Sequence, residues 1–226
     1  CHDIKDAIRL ESVTIIRKLA LTKFEALNEE LLNCLAGRIR DKKPKVRQEA
    51  IRAAAAIHKL VYVGEQFTES EKASVGVIMM RILNFYYQPY LDDRLLIERL
   101  FVSDFVPFKV EAKKRMKILF DVFLRFGDIE TRSFEEIFSQ QTRFRRFTRE
   151  ILQNLKDKEQ NSVYIASRTH IIAESYSTPA KMAIHFQRFF EIVAEDSRLL
   201  ELLGYIFGLD YKCGKIESTL IEIVQR

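Results

Sequence analysis

Cationic side chains crowd the segment around the turn Asp41-Lys42-Lys43-Pro44, and their chemistry is that of anion binding. Backbone amides at a helix N-terminus add partial positive charge, so a helix that starts here could hold a polyphosphate. The candidate residues are Arg40, Lys42, Lys43, Lys45 and Arg47, flanked by Arg38 and Arg52. The alternative is a solvated basic surface, in which Arg47 pairs with an acidic residue of the adjacent structural unit.

A second set of residues combines tyrosines with mixed charges and has the composition of a peptide-binding surface. Tyrosine supplies contact area at low entropic cost, and arginine makes paired hydrogen bonds. The candidate residues are Tyr87, Tyr90, Arg94, Glu98 and Arg115. The alternative is structural, with Asp92 and Asp93 capping a helix and with the tyrosines, Tyr86 among them, buried.

A third cluster interleaves arginines with phenylalanines over residues 143–149. Its members are Arg143, Arg145, Arg146 and Arg149, with Phe144 and Phe147 between them. Such interleaving can bind nucleic acid through phosphate contacts and base stacking. The phenylalanines recur at helical spacing, however, so we favour an amphipathic helix with a cationic outer face.

Residues suited to catalysis or metal binding are sparse. Four histidines have no cysteine or carboxylate at ligand spacing, namely His2, His58, His170 and His185. Neither a glycine-rich phosphate loop nor Gly-x-Ser-x-Gly occurs. The cysteines Cys1, Cys34 and Cys213 are far apart and odd in number, which favours a reducing compartment. We therefore expect no enzyme activity, no metal and no required cofactor.

The composition favours a helical protein with a large charged surface. The 226 residues are 47% hydrophobic and 31% charged, with 7 Gly and 4 Pro, fewer turn residues than β-rich folds usually need. The net charge of +5 permits contact with nucleic acid without requiring it. No run of 18 apolar residues predicts a membrane span. The start at Cys1 and the amphipathic pattern at Arg226 suggest a piece of a longer protein.

Apolar residues recur at helical spacing along the whole chain. One helix is predicted from Leu27 to Ile39, and the next has Asp41 as its cap and Pro44 in its first turn. Thr68 to Glu71 form a loop or a helix start, and Ile129 to Leu155 form one long helix or two. Further helices are predicted over 161–173, 179–193, 197–207 and 216–224.

Small residues follow the turn, at Ala50, Ala53, Ala54 and Ala56. A turn with Asp and Pro, then Val46-Arg47, then small residues is typical of a HEAT repeat, a helix pair that must stack on neighbours to bury its apolar face. The predicted fold class is all-α, a HEAT-repeat-like α-solenoid that forms a right-handed superhelix of helix pairs. We expect one such segment over residues 1–226.

Several stretches, in this order and spacing, resemble the cohesin-regulator family named "precocious dissociation of sisters, protein five". They are Asp41-Lys42-Lys43 with Val46 to Ala50, Ile82 to Gln88, Asp92 to Phe101, Val106-Pro107, and Glu111 with Lys114 to Lys117. The resemblance is densest from Asn28 to Phe126 and continues more thinly to the end of the chain.

The resemblance implies a nuclear, chromosome-associated protein that regulates sister chromatid cohesion by binding the kleisin subunit of cohesin. The family's kleisin contact lies in its middle repeats, which favours the tyrosine-containing set as that contact. Inositol hexakisphosphate is implied as a structural ligand of a basic cleft. Wapl-type and sororin-type regulators would bind other parts of the protein. The alternatives are an unrelated HEAT adaptor scaffold and a module that binds DNA or inositol phosphate directly.

Overall fold

The structure, a computed structural model, describes residues 3–157, 162–176 and 178–225. Cys1, His2, Asn161 and Arg226, which enter the predictions above, lie outside these ranges. Within them, every regular element is a helix. In the described part of the chain, none of the helices combines the length and apolarity needed to cross a bilayer.

The chain forms two compact units, Cys1–Ile137 and Phe138–Arg226. The boundary falls within one long helix, α7, and the expectation of a single segment over residues 1–226 stays a prediction. The first unit begins with α1 (Asp6–Thr22), a short 3-10 helix (Phe24–Ala26), α2 (Glu29–Arg38), α3 (Pro44–Val63) and α4 (Glu69–Phe85). It continues with α5 (Leu91–Leu100), a π-helical turn (Phe101–Phe105), α6 (Ala112–Phe123) and the start of α7 (Asp128–Lys156).

Helix α3 lies at the centre of the first unit, where it packs against α1, α2, α4 and α5. Of the predicted small residues, Ala50, Ala53 and Ala54 are buried and Ala56 is half-buried, and Ala55 between them is buried as well. Side-chain size at a contact sets the distance between helix axes, so this stripe lets neighbouring helices approach α3 closely. The alanine-rich stretch therefore lies at the contacts between stacked helices, as its spacing predicts.

Local sequence signals fix where several helices begin. Pro44 is the first residue of α3, as predicted, because its fixed φ and missing amide suit that position. Thr68 and Glu71 form a reciprocal capping box, so the Thr68 segment is a helix start rather than a loop. The predicted helix from Leu27 to Ile39 is confirmed as α2, with Asn28 as its cap.

Two predicted caps are wrong. Lys43, not Asp41, precedes α3, and Tyr90 precedes α5, so that Asp92 and Asp93 lie inside its first turn. Both Asp41 and Asp93 are buried and bind arginines instead. Each of these carboxylates forms an ion pair with an arginine of another helix in place of a cap, and local sequence patterns do not predict such a pair.

The second unit contains the rest of α7 and four further helices. These are α8 (Ser162–Ala173), α9 (Pro179–Glu195), α10 (Ser197–Phe207) and α11 (Cys213–Gln225). Residues 129–155 form one helix, which settles the open alternative. Ile151 of α7 and Val193 of α9 are fully buried in the core of this unit.

Candidate partner-binding surface

The turn between α2 and α3 is built around the carboxylate of Asp41. Arg9 donates two hydrogen bonds to it, at 2.8 and 3.0 Å, and Arg38 donates a third at 2.9 Å. The backbone amide of Lys43 donates a fourth, at 3.0 Å. The Arg9 guanidinium in particular lowers the pKa of Asp41 to about 2. Asp41 therefore stays ionised, and its charge is balanced by Arg9 from α1 and Arg38 at the end of α2.

Arg47, one of the candidate polyanion ligands, is 3% exposed and faces the core. Its Nε donates to Asp93 Oδ2, and its Nη1 donates to the carbonyl of Asp41 at 2.9 Å. Gln48 donates to the other oxygen of Asp93, at 3.0 Å. Arg47 thus follows the alternative interpretation and pairs with an acidic residue of the next helix pair. It is not accessible to a ligand in solvent.

The other candidate cations face solvent. Arg40, Lys42, Lys43, Lys45 and Arg52 are exposed. All but Arg52, which lies two turns further along, flank the N-terminus of α3, whose free backbone amides add positive charge. Since Asp41 is already neutralised by Arg9 and Arg38, this turn presents a positive surface without the buried Arg47.

The three tyrosines of the second set take different roles. Tyr86 is fully buried, whereas Tyr87 is 52% exposed and Tyr90 is 47% exposed. The guanidinium of Arg47 lies 4.1 Å from the centroid of the Tyr90 ring, and Phe85 stacks beside that ring at 6.1 Å. The Tyr87 ring packs edge-to-face on Tyr86, at 5.9 Å. Both exposed rings are therefore backed by buried side chains.

Tyr86 joins two of the charged candidates into a partly buried network. Its hydroxyl donates to Glu98 Oε1 at 2.6 Å, and Arg94 donates to the same hydroxyl at 3.4 Å while its guanidinium lies over the ring. Burial and the Glu98 carboxylate raise the pKa of Tyr86. Burial also raises the pKa of Glu98, with nearby Glu136 adding to that shift and Tyr86 and Arg94 opposing it. Arg94 and Glu98 thus hold the buried Tyr86 in place, and the exposed Tyr87 ring packs against Tyr86.

Arg115 belongs to a different local structure. It lies on α6, where its Nη1 donates to the carbonyl of Phe108 at 3.1 Å. Tyr87, Tyr90, Arg94 and Glu98 lie together at the α4–α5 junction. We call the exposed Tyr87 and Tyr90 with their supporting Arg94 and Glu98 the tyrosine surface.

The arginines of α7 follow the amphipathic interpretation. Phe144 and Phe147 pack against the core of the second unit. Arg143 and Arg146 lie over the Phe147 ring, both at 5.8 Å, and Arg145 donates to the carbonyls of Ile206 and Gly208. The phenylalanines are therefore core residues and the arginines form the outer face of the helix.

A histidine that sequence reasoning left aside is buried in the first unit. His58 stacks on Tyr62 at 4.1 Å and meets Phe105 edge-to-face at 5.1 Å. Neither ring nitrogen has a hydrogen-bond partner in the described structure. The nearby backbone carbonyl of Asp104 raises the pKa of His58 but does not outweigh the effect of burial. Burial lowers the pKa of His58 to about 3. His170 and His185 are exposed.

The Arg9–Asp41 pair has a counterpart that the sequence could have revealed. Arg17, eight residues after Arg9, binds Glu49, eight residues after Asp41, at 3.0 Å. The first pair joins α1 to the turn that precedes α3 and the second joins α1 to α3 itself, each across a separation of 32 residues. A search for basic and acidic residues at one repeated separation would have found this register, which is a signature of stacked repeats.

Comparison with known families identifies the chain. A family model described as "Sister chromatid cohesion protein PDS5 protein" matches residues 1–226. This chain belongs to the PDS5 family. The predicted family resemblance is thereby confirmed.

PDS5 proteins from vertebrates are similar over the whole chain. PDS5 homolog B of Gallus gallus is 26% identical over an aligned stretch of 227 positions, which covers 100% of this chain and 16% of that protein. PDS5 homolog A of Danio rerio is 25% identical, over 100% of this chain and 17% of that protein. The chain thus spans about one sixth of the length of these PDS5 relatives.

A solved structure confirms the fold. A chain in the structure of the Pds5-Scc1 complex superposes with a TM-score of 0.83 at 20% identity, over 99% of this chain and 34% of that chain. The predicted all-α, HEAT-repeat-like solenoid class is therefore correct for this PDS5 segment.

Proposed function

We propose that this chain is a non-catalytic segment of a cohesin regulator that acts in sister chromatid cohesion on chromosomes in the nucleus. Membership of the PDS5 family over the whole chain carries the proposal. The structural likeness is to a chain from a Pds5-Scc1 complex, in which Scc1 is the kleisin. We infer that this segment binds a kleisin through the tyrosine surface, while Wapl-type and sororin-type regulators bind other parts of the protein.

The tyrosine surface has the physical properties of an interface anchor. Tyr87 and Tyr90 expose ring area, and their positions are restrained by Tyr86 and Arg47 beneath them. Restrained aromatic rings lose little entropy on binding, so they contribute a large share of affinity in small interfaces. Arg94 and Glu98 hold Tyr86 and act as supports for the contact. No comparable support joins Arg115 to this surface within the described residues, and its predicted role rests on composition alone.

Truncating both exposed rings is expected to weaken kleisin binding by at least about 30-fold. The variant Tyr87→Ala/Tyr90→Ala removes two anchors. Losing one anchor residue typically costs about 2 kcal/mol or more of binding free energy, which is about 30-fold in affinity, and this is a lower bound for the pair because such losses are not additive. Calorimetric titration of the purified chain with an Scc1-type kleisin subunit measures the change.

The matched control is Tyr211→Ala, which removes a tyrosine of similar exposure in the second unit. It should leave kleisin affinity unchanged. Equal loss in both variants, or unaltered binding by the double variant at unchanged helicity, would refute this placement of the kleisin contact.

A second candidate function is binding of a polyanion at the α2–α3 turn. The supporting observation is that the Asp41 carboxylate already pairs with Arg9 and Arg38. Asp41 therefore does not neutralise the four exposed cations of the turn, which are Arg40, Lys42, Lys43 and Lys45. The ligand would be an inositol phosphate in a structural role or the DNA backbone. DNA binding would fall steeply as salt rises, because binding releases cations from the phosphate backbone and that release is less favourable at high salt.

Inositol hexakisphosphate is expected to raise the melting temperature of the chain. A ligand at a hundredfold excess over its dissociation constant stabilises the folded state by about 2.7 kcal/mol. The variant Lys42→Ala/Lys43→Ala/Lys45→Ala should lose most of that shift in a thermal denaturation experiment. A second groove, beside α6, is lined by Lys113, Lys114 and Lys117. A full shift in the turn variant, together with its loss in Lys113→Ala/Lys117→Ala, would assign the ligand to that groove and disprove binding at the turn.

A further inference from the structure

Helix α6 carries apolar side chains on two faces, and only one of these faces is buried. Ile118 and Val122 belong to the core of the first unit. Met116, Phe120 and Phe123 follow one another at intervals of four and three residues, so they form a stripe along a different face. These residues are 45%, 59% and 42% exposed, respectively. We call these three residues the α6 stripe.

The core of the first unit holds one ring of the stripe in place. Phe123 packs edge-to-face on Phe126 and at a tilt on Phe134, and the ring centroids are 5.6 Å apart in both pairs. Phe126 and Phe134 pack in turn against the buried core. From Met116 to Phe126, eight of eleven residues are apolar. A helix that is apolar on several faces is normally covered on each of them, so the exposed stripe indicates a contact surface.

The spacing of the stripe favours a helical partner. Side chains four and three residues apart form a ridge that packs into the groove of a facing helix. From Met116 to Phe123 the stripe extends over about two helical turns, or roughly 10 Å, so a helix of three or four turns covers it. An extended peptide would leave its backbone amides and carbonyls unpaired against these side chains, because α6 offers no strand edge.

Cations border the α6 stripe on both sides. Lys113 and Lys117 are exposed, and each lies three residues before a member of the stripe. Arg115 lies on the other side, where it donates to the carbonyl of Phe108 at 3.1 Å. Within α6, which the structure describes throughout, Asp121 is the one carboxylate, and it lies beyond the two lysines, away from the stripe. A helix with acidic residues beside its own apolar stripe therefore matches α6 in charge as well as in shape.

We propose that the α6 stripe binds an acidic amphipathic helix of a partner protein, separately from the kleisin contact at the tyrosine surface. Aliphatic side chains of that helix pack over Phe120 and Phe123, and its carboxylates pair with Lys113 and Lys117. A second copy of α6 is a poor occupant, because it would place lysines against lysines. The α6 stripe shares no residue with the tyrosine surface, so the inference does not depend on the proposed kleisin contact.

Designed peptides test the proposal on the purified chain. The probe is a sixteen-residue alanine-based helix with leucines spaced to form one stripe and glutamates on both flanks of that stripe. In a second peptide lysines replace the glutamates, and in a third the same residues are scrambled so that no stripe forms. We expect the acidic helix to bind at least about tenfold tighter than either of the others, because it alone matches α6 in both respects. Fluorescence anisotropy of labelled peptides measures each dissociation constant.

Two variants assign the binding to α6. Phe120→Ser removes the most exposed ring of the stripe and should weaken binding of the acidic helix at least about tenfold. Lys113→Glu/Lys117→Glu should weaken binding of the acidic helix and strengthen binding of the basic one. Damage to the fold would weaken both peptides and would not produce this reversal.

Each variant has a matched control in the second unit. Phe189→Ser also removes an exposed ring, and Lys181→Glu/Arg188→Glu makes the same change in charge on α9. Both controls should bind the acidic helix like the original chain. Loss of binding in Phe189→Ser would instead assign the peptide to the apolar groove beside α9 and reject the α6 stripe.

Other results would also overturn the proposal. They are equal affinity for the acidic and basic helices, displacement of the acidic helix by an Scc1-type kleisin, and failure of every peptide to bind. Self-association of the chain that Phe120→Ser abolishes would assign the stripe to a second copy. Binding to vesicles that contain phosphatidylserine, if it is lost in Phe120→Ser, would assign the stripe to a membrane surface.

Discussion

Replacing Asp93 with alanine is expected to lower the free energy of unfolding by about 3–5 kcal/mol. Asp93 is 1% exposed, and it neutralises Arg47, which is also buried. Removing the carboxylate would leave a buried guanidinium without its counter-charge and would also leave Gln48 without an acceptor. Urea denaturation monitored by circular dichroism measures the loss.

Asp92 provides a matched control one residue away. It is exposed in the first turn of α5, so Asp92→Ala should cost under about 1 kcal/mol, mainly through the helix dipole. The double variant Arg47→Met/Asp93→Leu removes both charges and should be more stable than Asp93→Ala. If Asp93→Ala and Asp92→Ala were equally mild, the Arg47–Asp93 pair would not hold α3 and α5 together.

Acidification from pH 7 to pH 5 is expected to cost about 2 kcal/mol of stability through His58 alone. The folded-state pKa of His58 is about 3, below the ordinary value of 6.5. Between these values the unfolded chain binds one proton more than the folded chain. Stability therefore decreases as pH falls through this window, and the loss is complete near the folded pKa.

Other groups contribute outside this window or in the opposite direction. The lowered pKa of Asp41, held down chiefly by Arg9, makes its stabilisation disappear only as pH falls below about 4 toward 2. The pKa of Glu98 is raised by burial, so protonation of Glu98 favours the folded state and partly offsets the effect of His58. The contribution of His58 is therefore the difference between the original chain and a variant without this histidine, measured between pH 7 and pH 5.

The variant His58→Leu should remove most of this pH dependence. Leucine fills a similar space between Tyr62 and Phe105 and carries no unpaired nitrogen, so the variant should be at least as stable as the original chain at pH 7. His170→Gln is the control, since His170 is exposed and should not alter the slope. An unchanged slope in His58→Leu would show that another group controls acid stability.

The sequence by itself determined the helices, their order and the family. Pro44 and the capping box of Thr68 and Glu71 act within one helical turn, so their effects can be read from spacing alone. The alanine-rich stretch of α3 and the ordered motifs from Asn28 to Phe126 similarly sufficed for the fold class and for the PDS5 assignment.

Only the tertiary structure decided which side chains are buried and which partners they meet. The sequence left two roles open for Arg47, an anion ligand or a partner of an acidic residue in the adjacent unit. The tertiary structure decided for the second, because α5 places Asp93, 46 residues away, against it. Tyr86 and Tyr87 are neighbours in sequence, yet one is buried and the other exposed. The physical reason is that burial and ion pairing depend on the register between packed helices. That register is set by contacts among residues far apart in the chain, which local spacing does not encode.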